Sequence, residues 1–166
     1  ESMLAGIMLD TRNYCMHTGV RTFEASAFLR RRGADPIAVK KLFADSIEHH
    51  KIKNSIVSIA QQHNIYAIAV NDNNNLSDEE SRIVSSQAAD ELLNISGVKA
   101  SFVLSRVGDA INISARSYGE VNVQLIMERL GGGGHRTMSA CQIEERNFAV
   151  AKQLLLEAIS KNEEEN

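Results

Sequence analysis

The chain has 166 residues, 43% hydrophobic and 23% charged, with a formal net charge of −3. These proportions fit a globular domain and exclude a disordered chain or a fibrous repeat. The mild charge argues against a protein that wraps a long polyanion, and no apolar run reaches the roughly 18 residues a membrane helix needs.

The charge is uneven. Residues 11–60 hold nine Lys and Arg against four Asp and Glu, whereas residues 61–166 hold nine against fifteen. Arg30, Arg31 and Arg32 lie in the basic part. They read either as a solvated helix face or as the anion-attracting side of a cleft. Cys15 and Cys141 show neither metal-ligand spacing nor a disulfide framework, which points to a reduced, cytosolic compartment.

Taken in chain order, Met3–Leu9 is a continuous apolar run ending at Asp10 and Thr11. It reads as a buried strand of the parallel type. Such a strand needs neighbours on both sides, so the chain is expected to be a C-terminal piece of a longer protein. The strand's open edge would also favour dimerisation or swapping. Thr22–Arg32 is an amphipathic helix capped by Gly33. Asp35-Pro36 opens a second helix, running to about residue 45. Residues 48–63 carry Ile52, Ile56, Ile59 and Ala60 at helical spacing and read as a connecting helix.

The second half alternates between strands and helices. Ile65–Val70 is an apolar strand, followed by a loop at residues 71–75. Ser77-Asp78-Glu79-Glu80 is a capping box that starts a helix running to about Asn94. Val98–Arg106 and Ala110–Ser117 form an antiparallel hairpin around Gly108-Asp109. Val121–Leu130 is a short helix, Ala140–Ile143 a strand, Glu145–Ser160 the last helix, and residues 161–166 a frayed tail.

Gly131-Gly132-Gly133-Gly134-His135 is the most informative segment. Capping a helix takes one glycine, not four. A longer run implies a backbone that must approach something closely. Successive backbone N–H groups can form an anion-binding nest, and a protonated histidine beside them would add positive charge. A flexible loop beside a surface histidine fits the same residues. In Ile111–Arg116, strand alternation puts Asn112, Ser114 and Arg116 on one face. That face suits a phosphate or a base edge, or simply solvent. Asp10, beyond the end of its run, is either a hard-metal ligand or a cap for the following turn.

Together these residues resemble the DHH–DHHA1 phosphoesterases. Leu4-Ala5-Gly6-Ile7-Met8-Leu9-Asp10-Thr11 is similar to the last motif of the DHH domain. Ile113-Ser114-Ala115-Arg116-Ser117, Val121-Asn122-Val123 and Gly131–His135 resemble the DHHA1 substrate-binding domain. Thr18-Gly19-Val20-Arg21-Thr22-Phe23, with Leu29-Arg30 and Gly33-Ala34-Asp35, resembles the membrane-anchored cyclic-di-AMP phosphodiesterases, which carry PAS and degenerate GGDEF domains ahead of this region.

The resemblance implies an α/β fold: a DHHA1-type domain with a mixed sheet and flanking helices, preceded by the C-terminal remnant of a DHH domain. The implied division is a DHH remnant at 1–47, a connecting helix at 48–63, a DHHA1 domain at 64–162 and a tail at 163–166. The implied activity is hydrolysis of cyclic di-AMP to linear pApA with two manganese ions (Mn2+). Asp10 matches a metal ligand; Ser114, Arg116, Gly132, Gly133, Gly134 and His135 match substrate-binding positions. The DHH motif and the other acidic motifs are absent, so the chain alone is expected to be inactive and to form a cytoplasmic part of a membrane-anchored bacterial protein. The expected ligand is a cyclic dinucleotide or short oligonucleotide, not a long nucleic acid. A nanoRNase or phosphoadenosine phosphatase of the same family remains an alternative, as does a non-catalytic nucleic-acid-binding DHHA1 module. Three Tyr, five Phe and no Trp speak against long single-strand binding by stacking.

Overall fold

A computed structural model describes residues 1–73 and 75–165. Asn74, within the expected loop, and Asn166, at the end of the expected tail, lie outside the described residues. The chain forms two compact units, Glu1–Ser46 and Ile47–Asn166.

The first unit is helical: α1 (Ser2–Asp10), α2 (Val20–Arg31) and α3 (Pro36–Leu42). The expected strand at Met3–Leu9 is therefore a helix, and the open strand edge proposed for dimerisation is absent. The reason is physical. A uniformly apolar run has no period to separate strand from helix, and Met, Leu and Ala are strong helix formers. Leu4, Ala34 and Val39 form the buried core of this unit, backed by Ala5, Met8 and Leu29. Asp35 caps α3 as expected, its carboxylate accepting from the Ile37 amide at 3.1 Å, with Pro36 in the first turn. Arg30 and Arg31 lie in the last turn of α2, where cations offset the helix dipole. Arg30 also donates to the Ala34 carbonyl at 3.0 Å, and Arg32 stacks over Phe28.

The second unit begins with α4 (Ile47–Ser58), β1 (Gln61–His63), β2 (Tyr66–Asn71), α5 (Asp78–Leu92) and β3 (Ala100–Val107). There follow β4 (Ala110–Ser117), α6 (Val123–Glu128), β5 (Gly133–His135), β6 (Met138–Ile143) and α7 (Phe148–Glu164). The six strands make one mixed sheet in the order β1-β2-β3-β4-β6-β5, parallel at β2–β3 and antiparallel elsewhere. The α/β class and the mixed sheet follow the expectation. The connecting helix does not run to residue 63. It ends at Ser58, and Gln61–His63 turns back on β2 through Asn64, which takes the left-handed conformation at φ +54°.

Helices cover both faces of the sheet. On one face Ile56, Val84, Ala88, Ala89 and Leu92 from α4 and α5 pack against Ala67, Ala69 and Val103. On the other, Ile126 and Met127 of α6 and Leu155 and Ile159 of α7 pack against Phe102, Leu104, Ile111 and Ile113. The alternation in β2–β4 decides which residue meets which layer. The tail is not frayed through Glu164. Its last turns are helical, and Tyr66 donates from its hydroxyl to Glu163 at 2.9 Å.

Candidate functional site

The antiparallel register of β3, β4, β6 and β5 lays out the site. Directly opposed residues share a face. One row reads Arg116–Met138–His135 across β4, β6 and β5; the next reads Ser114–Ala140–Gly133. Ser114, Arg116, Gly133 and His135 thus share one face of the sheet. Two strand spacings put Arg116 and His135 about 10 Å apart. Helix α5 covers this face over β2, β3 and part of β4. Beyond it, Met138, Ala140, Gln142 and His135 are exposed, leaving an open shelf of mixed polar and apolar groups.

The wall of the shelf is one stripe of α5. Arg82, Ser86 and Asp90 recur every four residues and so point the same way. Arg82 reaches the Gln142 side chain at 3.4 Å. Arg116 donates from Nη2 to the Ser86 hydroxyl, and its Nε lies 3.3 Å from Asp90 Oδ1 and 3.4 Å from Oδ2. Its Nη1 donates to the Ala115 carbonyl at 3.0 Å. Arg116, Ser114 and Asn112 are all buried, not spread on a solvated sheet face. The capping box anchors this wall. Ser77 accepts from the Glu80 amide at 3.3 Å, while Glu80 accepts from the Ser77 amide at 3.0 Å. These bonds, with the Ser77 hydroxyl donating at 2.7 Å, hold the Glu80 carboxyl below its ordinary range.

The four glycines serve different ends. Gly131, at φ +78°, closes α6: its amide donates to the Glu128 carbonyl at 3.0 Å and the Gly132 amide to Met127 at 2.8 Å. This is a Schellman cap, so these two N–H groups are spent on the helix and not offered as a nest. Gly132 presses on β6, where a β-carbon would stand 2.2 Å from the Ala140 carbonyl oxygen. Gly134 also presses on β6, where a β-carbon would stand 2.6 Å from the Met138 carbonyl oxygen, and its φ is +144°. Thus part of the expected close approach is made to the chain's own neighbouring strand. Gly133 alone combines a place on the shelf with open space around a would-be β-carbon.

Asp10 ends α1 in the first unit and is exposed. Among the described residues, no group of three or more His, Cys, Asp or Glu is arranged to hold a metal ion. A single carboxylate does not satisfy a hard divalent cation, which takes about six oxygen ligands. Cys141 lies behind the shelf, and burial pushes its thiol up to about 12. An open depression lined by Asp109, Ala110, Gln142, Glu144, Glu145 and Arg146 lies at the opposite end of β4 and β6 from Arg116, and its acidic groups do not suit an anion.

Sequence reasoning missed Arg82, Ser86, Asp90 and Met138. The four-residue polar spacing along α5 was a usable signal. The place of Met138 between Arg116 and His135 was not legible, because it needs the register of two strand pairs.

A DHHA1 domain model matches residues 65–161. The chain is 46% identical over 161 residues to the cyclic-di-AMP phosphodiesterase GdpP of Geobacillus thermodenitrificans, covering 95% of this chain and 24% of that protein. It is 41% identical to the cyclic-di-AMP phosphodiesterase PdeA of Listeria monocytogenes, and 38% identical to GdpP of Bacillus subtilis, over 95% and 96% of this chain and 24% of each relative. The chain therefore spans about a quarter of the length of these relatives. An exopolyphosphatase-related protein of Bacteroides fragilis shares the fold, with a TM-score of 0.79 at 21% identity over 93% of this chain and 47% of that one.

Proposed function

The chain belongs to the DHH/DHHA1 phosphoesterase family through its DHHA1 domain, and from that premise we propose that it is the substrate-binding part of a phosphodiesterase that hydrolyses cyclic di-AMP to pApA. The observation that carries this reading is the row Arg116–Met138–His135 beside Ser114 and Gly133. A guanidinium is matched to a phosphate, and an imidazole about two strand spacings away can meet a second polar group of the same ligand. A dinucleotide has the size and the repeated phosphates to engage both. In this reading Arg116 takes a phosphate, Ser114 and His135 supply hydrogen bonds, and the open backbone at Gly133, held in place by Gly132 and Gly134 against β6, lets the ligand lie close to β5. Binding in this way would orient a phosphodiester for attack in the longer protein.

Asp10 is proposed as one of the ligands of a two-manganese centre, whose ions would activate water and offset charge on the phosphodiester. Its partners would come from outside this chain. Accordingly, the chain alone binds but does not hydrolyse, as a cytoplasmic part of a membrane-anchored protein. Metal-dependent turnover of cyclic di-AMP by the purified chain, abolished by Asp10→Ala, would overturn that statement.

Calorimetric titration with cyclic di-AMP, pApA and a longer oligo(A) tests the binding reading. Selective binding of either dinucleotide is expected. Preference for the long oligomer, steeply weakened by salt, would replace it with a nucleic-acid-binding function.

A further inference from the structure

Asp90 stands where helix chemistry disfavours it. It lies two residues before the end of α5, whose last turn contains no basic residue. The carbonyl end of a helix carries partial negative charge, so a carboxylate there works against the dipole. The offsetting group is not on α5 at all. It is Arg116, reached across the seam between helix and sheet.

The pair is graded in exposure. The Arg116 side chain is 8% exposed and the Asp90 side chain 42%. A buried cation is thus matched to an anion at the lip of the shelf that carries Ser114, Gly133 and His135. Ser86 and the Ala115 carbonyl hold other N–H groups of the same guanidinium, so Arg116 keeps its place through more than its charge partner.

We infer that Asp90 is an internal counter-ion of the phosphate-binding Arg116, one that competes with a ligand's phosphate and so limits how tightly the site holds an anion. This rests on the reading of Arg116 given above. A phosphate that docks on Arg116 meets a cation already partly neutralised, and it lies within a few ångströms of a carboxylate of like charge. The cost falls on bound anions, and most on those with the greatest charge. A site tuned in this way releases a product carrying a terminal phosphate, such as pApA, sooner than a bare arginine would.

A purely structural role makes the opposite forecast, which makes Asp90→Asn decisive. The amide oxygen still accepts from Nε, while the negative charge is gone. Titrated calorimetrically with pApA at low salt, the folded Asp90→Asn chain is expected to bind about tenfold tighter than wild type, a gain set by one partly screened charge pair. The gain should shrink as salt rises. It should vanish in the Arg116→Ala background. Asp90→Ser, which also removes the charge, should gain as well. Equal or weaker binding by folded Asp90→Asn, with Arg116→Ala weaker than wild type, would overturn the counter-ion role while leaving Arg116 as the phosphate group. Loss of fold in both Asp90 variants would overturn it too, by showing the pair to be structural. Unchanged binding by Arg116→Ala would remove the reading of the site and this inference with it.

Discussion

A β-carbon placed on Gly132 would stand 2.2 Å from the carbonyl oxygen of Ala140, and 2.4 Å from the Cys141 β-carbon. Backbone cannot yield to that contact as a flexible side chain can. Gly132→Ala should therefore destabilise the fold by roughly 2 kcal/mol or more, as an overpacked interior does. Gly133→Ala, with open space around the added methyl, should leave stability within about 1 kcal/mol of wild type. Urea denaturation of the two variants separates them. If Gly133→Ala keeps its fold yet loses dinucleotide affinity, ligand contact at this glycine is established by a variant that packing cannot explain.

Arg116→Ala should weaken dinucleotide binding by roughly 1.5–3 kcal/mol, the scale of a hydrogen bond to a charged group. Arg116→Lys should restore only part of it, because a lysine offers a point charge without the planar fork. Calorimetry on folded variants reads both. Unchanged affinity in Arg116→Ala would remove the phosphate role.

Ser77→Ala should cost about 1 kcal/mol through loss of the α5 cap. The effect should depend on pH. The Glu80 carboxyl is held below its ordinary range by the Ser77 hydroxyl and amide. A group lowered in the folded state contributes stability above its unfolded value and loses it as pH falls through the folded one. The gap between wild type and Ser77→Ala should therefore narrow on acidification below the usual carboxylate range, as followed by denaturant midpoints.

Tyr66 moves the other way. Burial, then its hydrogen bond to Glu163, pushes its hydroxyl up to about 12 from an ordinary 10. A raised value means that stability is fully present below pH 10 and is lost as pH climbs from 10 toward 12. Tyr66→Phe should lose less stability than wild type between pH 10 and 12. Some loss should remain in the variant, because the Cys141 thiol is also raised, from 9.0 to about 12. An equal loss in both proteins would show that Tyr66 does not titrate in this way.

The thiols offer a check on packing. Cys15 is exposed and Cys141 buried. One equivalent of a thiol reagent should react promptly in the native chain, and the second only as the chain unfolds. Two fast equivalents would mean that the β6 side of the core is open.

The parts of this fold that were legible beforehand rest on local chemistry. Ser77 with Glu80, and Asp35 with Pro36, announce helix starts because a cap is satisfied within four residues. The hairpin of β3 and β4 announces itself through alternation and Gly108. By contrast, β1 and β5 span three residues each and exist only because a neighbouring strand pairs with them. No local period could reveal them. The apolar run at Met3–Leu9 failed for a related reason, since it buries in either state. For the candidate site, the polar face of Asn112, Ser114 and Arg116 was readable from alternation. Its closure by Ser86 and Asp90 was not, because those residues lie 30 and 26 positions away and meet Arg116 only when α5 docks.

The strand order has a consequence for how this domain behaves in a crowded solution. The two positions where a sheet can recruit a foreign strand are occupied by β1 and β5, the shortest of the six. The longer strands β2, β3 and β4, with Val, Ile, Tyr and Phe of strong β-preference, are all interior. A three-residue margin offers few unpaired amides and carbonyls for a growing fibril to copy. Fibril growth by this domain would therefore first require unzipping of β1 or the β5–β6 hairpin. The cross-β hazard of its central strands stays locked behind two short selvedges, one polar and one rich in glycine.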